Sequence, residues 1–306
     1  MSSDPLVSLL VPCYNAALFL PRLMESVRAQ TRPFTAILCY DDGSTDDTVA
    51  VARSLGLDII TGQPKAGVAA ARNRLAAAAR TEWFHFHDAD DLIGPQFLER
   101  LGPFCDDRHD VVSCDADWIE DHSRKLMIAW RYDADTLAGT PAAYLLAHAL
   151  GLNSSIIRKE KWNEIGGCDE SLAMWEDADV HLRLALAGAR FKHVPEVHTQ
   201  SLRRSDSFSH DYIRSWNCRL DALELYLQRP LPAEITAVLA SEIEKAAAEL
   251  AGLGDSAGAK RAVRACHRLG VNPPTTRNRL LRLLKPFLPA YTLLRWQNTA
   301  RNRTTR

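Results

Sequence analysis

Between residues 6 and 91 the chain alternates short apolar runs with amphipathic stretches of helical period, and this alternation limits the available folds more than any other feature. LVSLLV, residues 6–11, reads as a buried strand, while Leu20, Leu23, Met24 and Val27 recur at helical spacing in LFLPRLMESVRAQ. TAILCY is the next strand. STDDTVAVARSL is the next helix, with Ser44 as its expected N-cap, acids in its first turn and Gly56 as its stop. LDIIT and GVAAARNRLAAAA repeat the unit, and EWFHFH is the fourth strand. Such alternation predicts an α/β fold with a mostly parallel, doubly wound sheet, in which ligands collect beyond the carboxyl ends of the strands.

The strand ends are where the polar chemistry lies. Pro12, Tyr14 and Asn15 follow the first strand, Asp41 and Asp42 the second, and Asp88, Asp90 and Asp91 the fourth. Like charges packed this closely repel unless a cation, a basic side chain or water lies among them. A lone acidic turn is most often solvated, but two acidic strand ends in one crevice fit a divalent cation that also bridges a diphosphate. His85 and His87 share a strand face, and with no further soft ligand nearby they read as a packed core pair rather than a zinc site.

Several classes lose weight. No GxGxxG follows the first strand and no GxxxxGK[ST] occurs, which disfavours a dinucleotide enzyme and a P-loop NTPase. The 7 cysteines show neither CxxC nor zinc spacing and read as reduced thiols of a cytoplasmic protein. MSSDPLVSLLV reads as a strand rather than a signal peptide, and no apolar run is long enough to span a membrane. The net charge of −1 hides an asymmetry: residues 1–209 hold 21 Lys and Arg against 30 Asp and Glu, and residues 210–306 hold 16 against 8. The expected organisation is a domain over 1–210 and an α-helical region with a basic tail over 211–306.

The blocks VSLLVPCYNAALFLPRLMESVRAQT, YDDGSTDDT, AGVAAARNRLAAAA, FHFHDADD and GGCDESLAMWEDADVHLRLALAG, in this order and spacing, resemble family 2 glycosyltransferases, which have the GT-A fold. The resemblance spans roughly residues 5–210. It implies inverting transfer of a sugar from a nucleotide diphosphate donor, usually a uridine one, with Mn2+ or Mg2+. Carried over by position, Pro12 and Tyr14 resemble the loop framing the base, Asp42 the carboxylate reading the nucleobase, and Arg72 a basic residue facing the nucleotide. Asp88 is expected toward the ribose, Asp90 or Asp91 on the metal, and Arg203 in LRRSDSFS on the diphosphate. Asp177 resembles the catalytic base, while Trp175 and Glu176 are candidates for the acceptor or sugar. The sequence departs from the family at Arg204, where a histidine is common, and at Ala178, where an aromatic often follows the acidic pair.

The expected partners are a nucleotide sugar and a saccharide or lipid-linked acceptor in polysaccharide or glycolipid synthesis, with a homodimer as a further candidate. Nucleic acid is disfavoured, because the basic residues lie on the tail and show no stacking-platform pattern. The acid-free tail, with Leu280, Leu281, Leu283, Leu284, Phe287, Leu288, Leu293, Leu294 and Trp296 among its cations, is a candidate for peripheral contact with the inner face of a membrane. The competing expectation is that these leucines pack, since Pro286 and Pro289 interrupt a continuous helix. Two other readings remain open: a sugar-phosphate nucleotidyltransferase, though PCYNA lacks the glycine- and lysine-bearing loop expected there, and a non-catalytic nucleotide-sugar-binding scaffold on the same fold.

Overall fold

The structure, a computed structural model, describes residues 6–62, 66–203, 211–275, 283–286 and 288–296. The chain divides into two compact units, Met1–Ser205 and Asp206–Arg306.

The first unit is built on one sheet. Strands β1 (Val7–Cys13), β2 (Ala36–Asp41), β3 (Asp58–Thr61) and β4 (Trp83–Phe86) alternate with helices α1 (Leu20–Arg28), α2 (Thr48–Ser54) and α3 (Val68–Ala78). All the pairings among these strands are parallel, with β1 between β2 and β4. Both faces of β1 are covered, which is why LVSLLV is continuously apolar rather than alternating. Val7, Leu9 and Val11 join Leu20, Leu23, Met24 and Val27 of α1 in one core, while α3 packs on β1 and β2. Each such fully buried aliphatic side chain contributes about 1.5–3 kcal/mol.

Beyond β4 the chain continues through β5 (Leu92–Ile93), α4 (Phe97–Leu101), β6 (Val111–Glu120), β7 (Leu126–Trp130), α5 (Ala134–Gly139), α6 (Pro141–Ala147), β8 (Ser155–Arg158), α7 (Lys159–Glu164), α8 (Glu176–Leu186) and β9 (Phe191–Arg203). The strand order is β3-β2-β1-β4-β8-β6-β9-β5, with β7 paired to β6. This half is mixed rather than mostly parallel: β8 is antiparallel to β4 and β6, and β5 to β9, whereas β6 and β9 run parallel. The antiparallel β8 lets β6 and β9 extend the sheet past the acidic end of β4.

One sequence-predicted cap differs. The N-cap of α2 is Asp47, not Ser44. Ser44 instead accepts a hydrogen bond from the Asn15 amide (2.8 Å), and Asn15 Oδ1 accepts one from the Thr45 amide (2.8 Å), so the loops after β1 and β2 are tied together. Asn15 takes a left-handed φ of 50° to do so, a conformation asparagine tolerates better than most residues.

The second unit contains α9 (Tyr212–Glu224), α10 (Ala233–Leu253) and α11 (Ser256–Arg268). Asp255 caps α11 through the Gly258 amide (2.9 Å) and accepts from Asn217 Nδ2 on α9 (2.8 Å), while Arg261 of α11 pairs with Glu224 of α9 (2.9 Å). Leu293 and Leu294 are buried, as the packing alternative for the tail expects, whereas Leu283 and Trp296 are exposed. Leu280, Leu281 and Phe287 lie outside the described residues. Among the described residues no helix is long and apolar enough to cross a membrane.

Gly166 and Gly167 both have left-handed φ, 75° and 74°, in the turn after α7, and a Cβ on Gly167 would collide with Asn73 Oδ1. Gly188, with φ 78°, ends α8 in open space. Gly188→Ala is therefore expected to cost about 1–2 kcal/mol, the left-handed penalty alone, and Gly167→Ala distinctly more. Urea unfolding of the two variants checks this, and equal losses would mean that Asn73 yields easily.

Candidate active site

Three strand ends and one helix start gather the candidate residues. Asp41 and Asp42, at the end of β2, are buried. Asp41 accepts from the Ser44 amide (3.2 Å), and Asp42 accepts from the Ala66 (2.9 Å) and Gly67 (2.8 Å) amides that lead into α3. Asp42, the sequence candidate for the nucleobase, thus ties the start of α3 to the end of β2. Tyr14, in the neighbouring loop, is 42% exposed, enough ring surface to stack on a flat ligand.

The acidic run after β4 resolves into residues with different surroundings. Asp91 is buried and directed inward: Oδ2 accepts from Ser201 Oγ (2.7 Å) and Asn153 Nδ2 (3.0 Å), and Oδ1 from the Leu202 amide (2.9 Å). Burial, with the adjacent Asp88 and Asp90 charges, pushes its carboxyl up to about 8 against those hydrogen bonds. Asp91 therefore fastens the turn after β4 to β9, so this carboxylate, one of the two expected on a metal, is engaged here by protein donors. Asp90 is partly exposed. Asp88, at 39% side-chain exposure, accepts from Arg72 Nη2 at 2.8 Å.

Arg72 is likewise engaged by protein groups. Its guanidinium is buried and held between Asp88 and Glu176 of α8, so it bridges protein carboxylates where a nucleotide contact was expected. Burial opposes its charge, but the two carboxylates outweigh it and its pKa is raised. Glu176, expected with Trp175 at the acceptor, likewise turns inward to this pair. Removing one member of a buried ion network strands the others and typically costs about 3–5 kcal/mol.

Trp175 caps α8 with a left-handed φ of 70°. A bulky residue is strained there, and such strain survives where surrounding structure dictates it. The turn it makes starts α8 at Glu176, so that Asp177 lies in the first helical turn. Burial, followed by the Glu176 charge, pushes the Asp177 carboxyl up to about 7, although Arg72 and the Ala178 amide pull it down. Behind these residues runs a polar chain that sequence reasoning did not find. His87 Nδ1 meets His85 Nε2 (3.1 Å), His85 Nδ1 meets the Ser155 carbonyl (2.8 Å), Ser155 Oγ meets His181 Nε2 (2.9 Å), and His181 Nδ1 meets the Asp177 carbonyl (2.8 Å). Burial depresses all three imidazoles, to about 3 for His87 and about 4 for His181, so the chain is neutral.

Arg203, at the end of β9, lies over the Trp118 ring with its guanidinium carbon 3.6 Å from the centroid, and Trp118 meets Trp130 edge-on at 5.2 Å. Arg204 and the rest of LRRSDSFS, with His210 after it, lie outside the described residues. Among the described residues no group of three or more His, Cys, Asp or Glu forms a metal cage. Magnesium and manganese suit a different donor set, one or two carboxylates completed by water and phosphate oxygens, and a partly exposed Asp90 beside Asp88 fits that demand.

A mixed sheet flanked by helices, with acids at the ends of β2 and β4 and a carboxylate at the start of α8, is the layout of a GT-A nucleotide-sugar enzyme. The likeness extends to solved structures: S. aureus TarS in complex with UDP-GlcNAc superposes with a TM-score of 0.67 at 19% identity, covering 96% of this chain and 89% of that one. A mannosyltransferase of Pyrobaculum calidifontis in complex with GDP-Man and Mn2+ gives 0.61 at 16% identity, covering 97% and 88%. Residues 8–179 match the Glycosyl transferase family 2 profile, and the chain belongs to that family. Among curated relatives, the uncharacterized glycosyltransferase YibD of Escherichia coli is 35% identical over 39% of this chain and 36% of its own length. The succinoglycan biosynthesis protein ExoA of Rhizobium meliloti is 28% identical over 62% of each. The alignment to YibD thus spans about a third of that relative.

The Asp177 carboxyl, raised to about 7 from its ordinary 3.8, binds a proton more tightly in the folded than in the unfolded chain. Stability from this group is therefore highest in acid and is lost as pH rises through 7. Asp177→Asn should raise the melting temperature at pH 8 and change it much less at pH 5. Equal shifts at both pH values would show that Asp177 titrates normally.

Proposed function

We propose that this protein is a metal-dependent, inverting glycosyltransferase that moves a sugar from a nucleotide diphosphate donor, with uridine as the expected nucleoside, to a hydroxyl of a saccharide or lipid-linked acceptor. The observation that carries the reading is Asp177: a carboxylate at the start of α8 whose proton affinity lies near neutrality, linked through Glu176 and Arg72 to the acidic end of β4. A base matched to the working pH maximises both its ionised fraction and its drive to accept a proton.

In this mechanism the acceptor oxygen attacks the anomeric carbon from the face opposite the diphosphate. The bond to the diphosphate oxygen breaks, the hydroxyl proton passes to Asp177, and the nucleoside diphosphate leaves. The first turn of α8 favours the ionised form of the base through the helix dipole, against the burial that raises its pKa. Pro12 and Tyr14 frame the base of the donor, Asp42 fixes the turn that borders it, and Asp88 lies toward the ribose. Arg203 faces the diphosphate, where cations stabilise the developing charge preferentially. Trp175 borders the acceptor or sugar. Asp90 would hold the divalent cation, Mn2+ or Mg2+, which supplies positive charge to the leaving diphosphate.

The complexes named for UDP-GlcNAc and for GDP-Man with Mn2+ support donor and cation classes of this kind, and ExoA, named for succinoglycan biosynthesis, supports polysaccharide or glycolipid assembly as the setting. A nucleotidyltransferase is less well supported, because PCYNA offers no glycine-rich cationic loop. Residues 1–210 form the catalytic domain in this reading and 211–306 a helical appendage. The exposed Leu283 and Trp296 keep contact of the basic tail with an anionic membrane surface open, at a cytoplasmic location.

Transfer is assayed with a panel of nucleotide sugars and Mn2+. Asp177→Asn should retain the fold and lower turnover by about 10²–10⁴-fold, whereas near-normal turnover would contradict the assigned base. Because the base must be ionised, kcat/KM should fall tenfold per pH unit below about 7 and level off above it.

A further inference from the structure

The network joining Asp88, Arg72 and Glu176 spans elements that chain order keeps apart. Arg72 lies on α3, Asp88 follows β4, and Glu176 opens α8. The next residue on α3 grips the same segment. Asn73 Oδ1 accepts from the Cys168 amide (2.8 Å), and Asn73 Nδ2 donates to the Cys168 carbonyl (3.0 Å) and to Glu170 (2.9 Å). Consecutive residues of one helix thus hold both the loop that approaches α8 and the first residue of α8.

We propose that Arg72 is a positioning residue for catalysis: its buried guanidinium locks Glu176 to the turn after β4 and so fixes the start of α8, where Asp177 follows directly. The inference rests on the reading of Asp177 as the base. It assigns Arg72 a role in the chemical step and removes it from donor binding, because a guanidinium engaged on two protein carboxylates in a buried site is already committed.

The charged and titratable groups facing Asp177 make the sign of the effect definite. On its own helix Glu176 raises its proton affinity; from α3 Arg72 lowers it; from the end of β4 Asp88 raises it. Tyr132, beyond β7, and Cys168, in the loop before α8, also face it, but burial raises both, the thiol to about 12, so both are neutral at working pH. His181 bonds the Asp177 carbonyl and is neutral as well. Arg72 is therefore the cation among these groups, and deleting it leaves Glu176 and Asp88 as the charged members of the set.

The test is the titration of the Asp177 carboxyl in donor-free protein, followed by 13C NMR and assigned by the signal lost in Asp177→Asn, together with the pH profile of transfer. In Arg72→Met the Asp177 midpoint and the acid limb of kcat/KM should both move up by at least about one pH unit, a tenfold loss of ionised base at neutral pH. In Glu176→Gln both should move down, and in Arg72→Lys they should stay near wild type. Donor KM should change by less than about twofold throughout. Opposite shifts in the two variants are not expected of residues that merely support the fold. An unmoved midpoint in Glu176→Gln, or a large rise in donor KM with an unmoved profile in Arg72→Met, would overturn the proposal. Should Arg72→Met fail to fold, the direction of the Glu176→Gln shift decides alone. An acid limb that persists in Asp177→Asn would instead refute the base assignment, an outcome distinct from failure of the Arg72 proposal.

Discussion

Negative charge at the end of β4 is the constraint around which the rest of the first unit is arranged. Asp88, Asp90 and Asp91 follow a strand that is buried along its whole length, and carboxylates this close in a low-dielectric setting repel strongly. The fold answers in separate ways. It turns Asp91 inward onto Ser201, Asn153 and the Leu202 amide, it pairs Asp88 with Arg72, and it leaves Asp90 partly exposed. The buried guanidinium then reaches Glu176 and so sets the start of α8 against the sheet.

The same device explains why the candidate base has unusual chemistry. An isolated carboxylate at a helix start would be favoured by the helix dipole and would ionise readily. Asp177 is buried beside Glu176, and these effects dominate. Buried ion networks seldom add net stability over a well-packed apolar alternative, so the energetic cost of Arg72, Asp88 and Glu176 is better understood as serving position and charge than as holding the fold together. The strained φ of Trp175 belongs with this view, because it sits beside the candidate base rather than in an idle turn.

Much of the sheet was legible in the sequence because apolar runs buried on both faces are hard to write any other way. The acids at the ends of the second and fourth strands were equally visible, since position at a strand end is a local property. What escaped was set by contacts distant in sequence. Arg72 and Glu176 lie 104 residues apart, so their pairing leaves no trace in local spacing. The inward turn of Asp91 depends on β9, 110 residues later, and a carboxylate reads the same in a sequence whether it faces solvent or Ser201. The antiparallel entry of β8 and the cap of α2 at Asp47 instead of Ser44 were hidden for the same reason: Ser44 is engaged by Asn15, in a different loop. The histidine chain beneath the site was half visible, as His85 and His87 share a strand face, but its continuation through Ser155 and His181 needed the fold.

In the proposed mechanism a cation and a nucleotide diphosphate complete the charge balance at Asp88 and Asp90. The direct measurement is calorimetric titration of the wild type and Asp90→Ala with UDP and GDP, each with and without Mn2+. A diphosphate should bind the wild type much more tightly with Mn2+ than without it, and Asp90→Ala should lose that difference while remaining folded. Equal affinity with and without Mn2+ in the wild type, or a full manganese effect in Asp90→Ala, would contradict it.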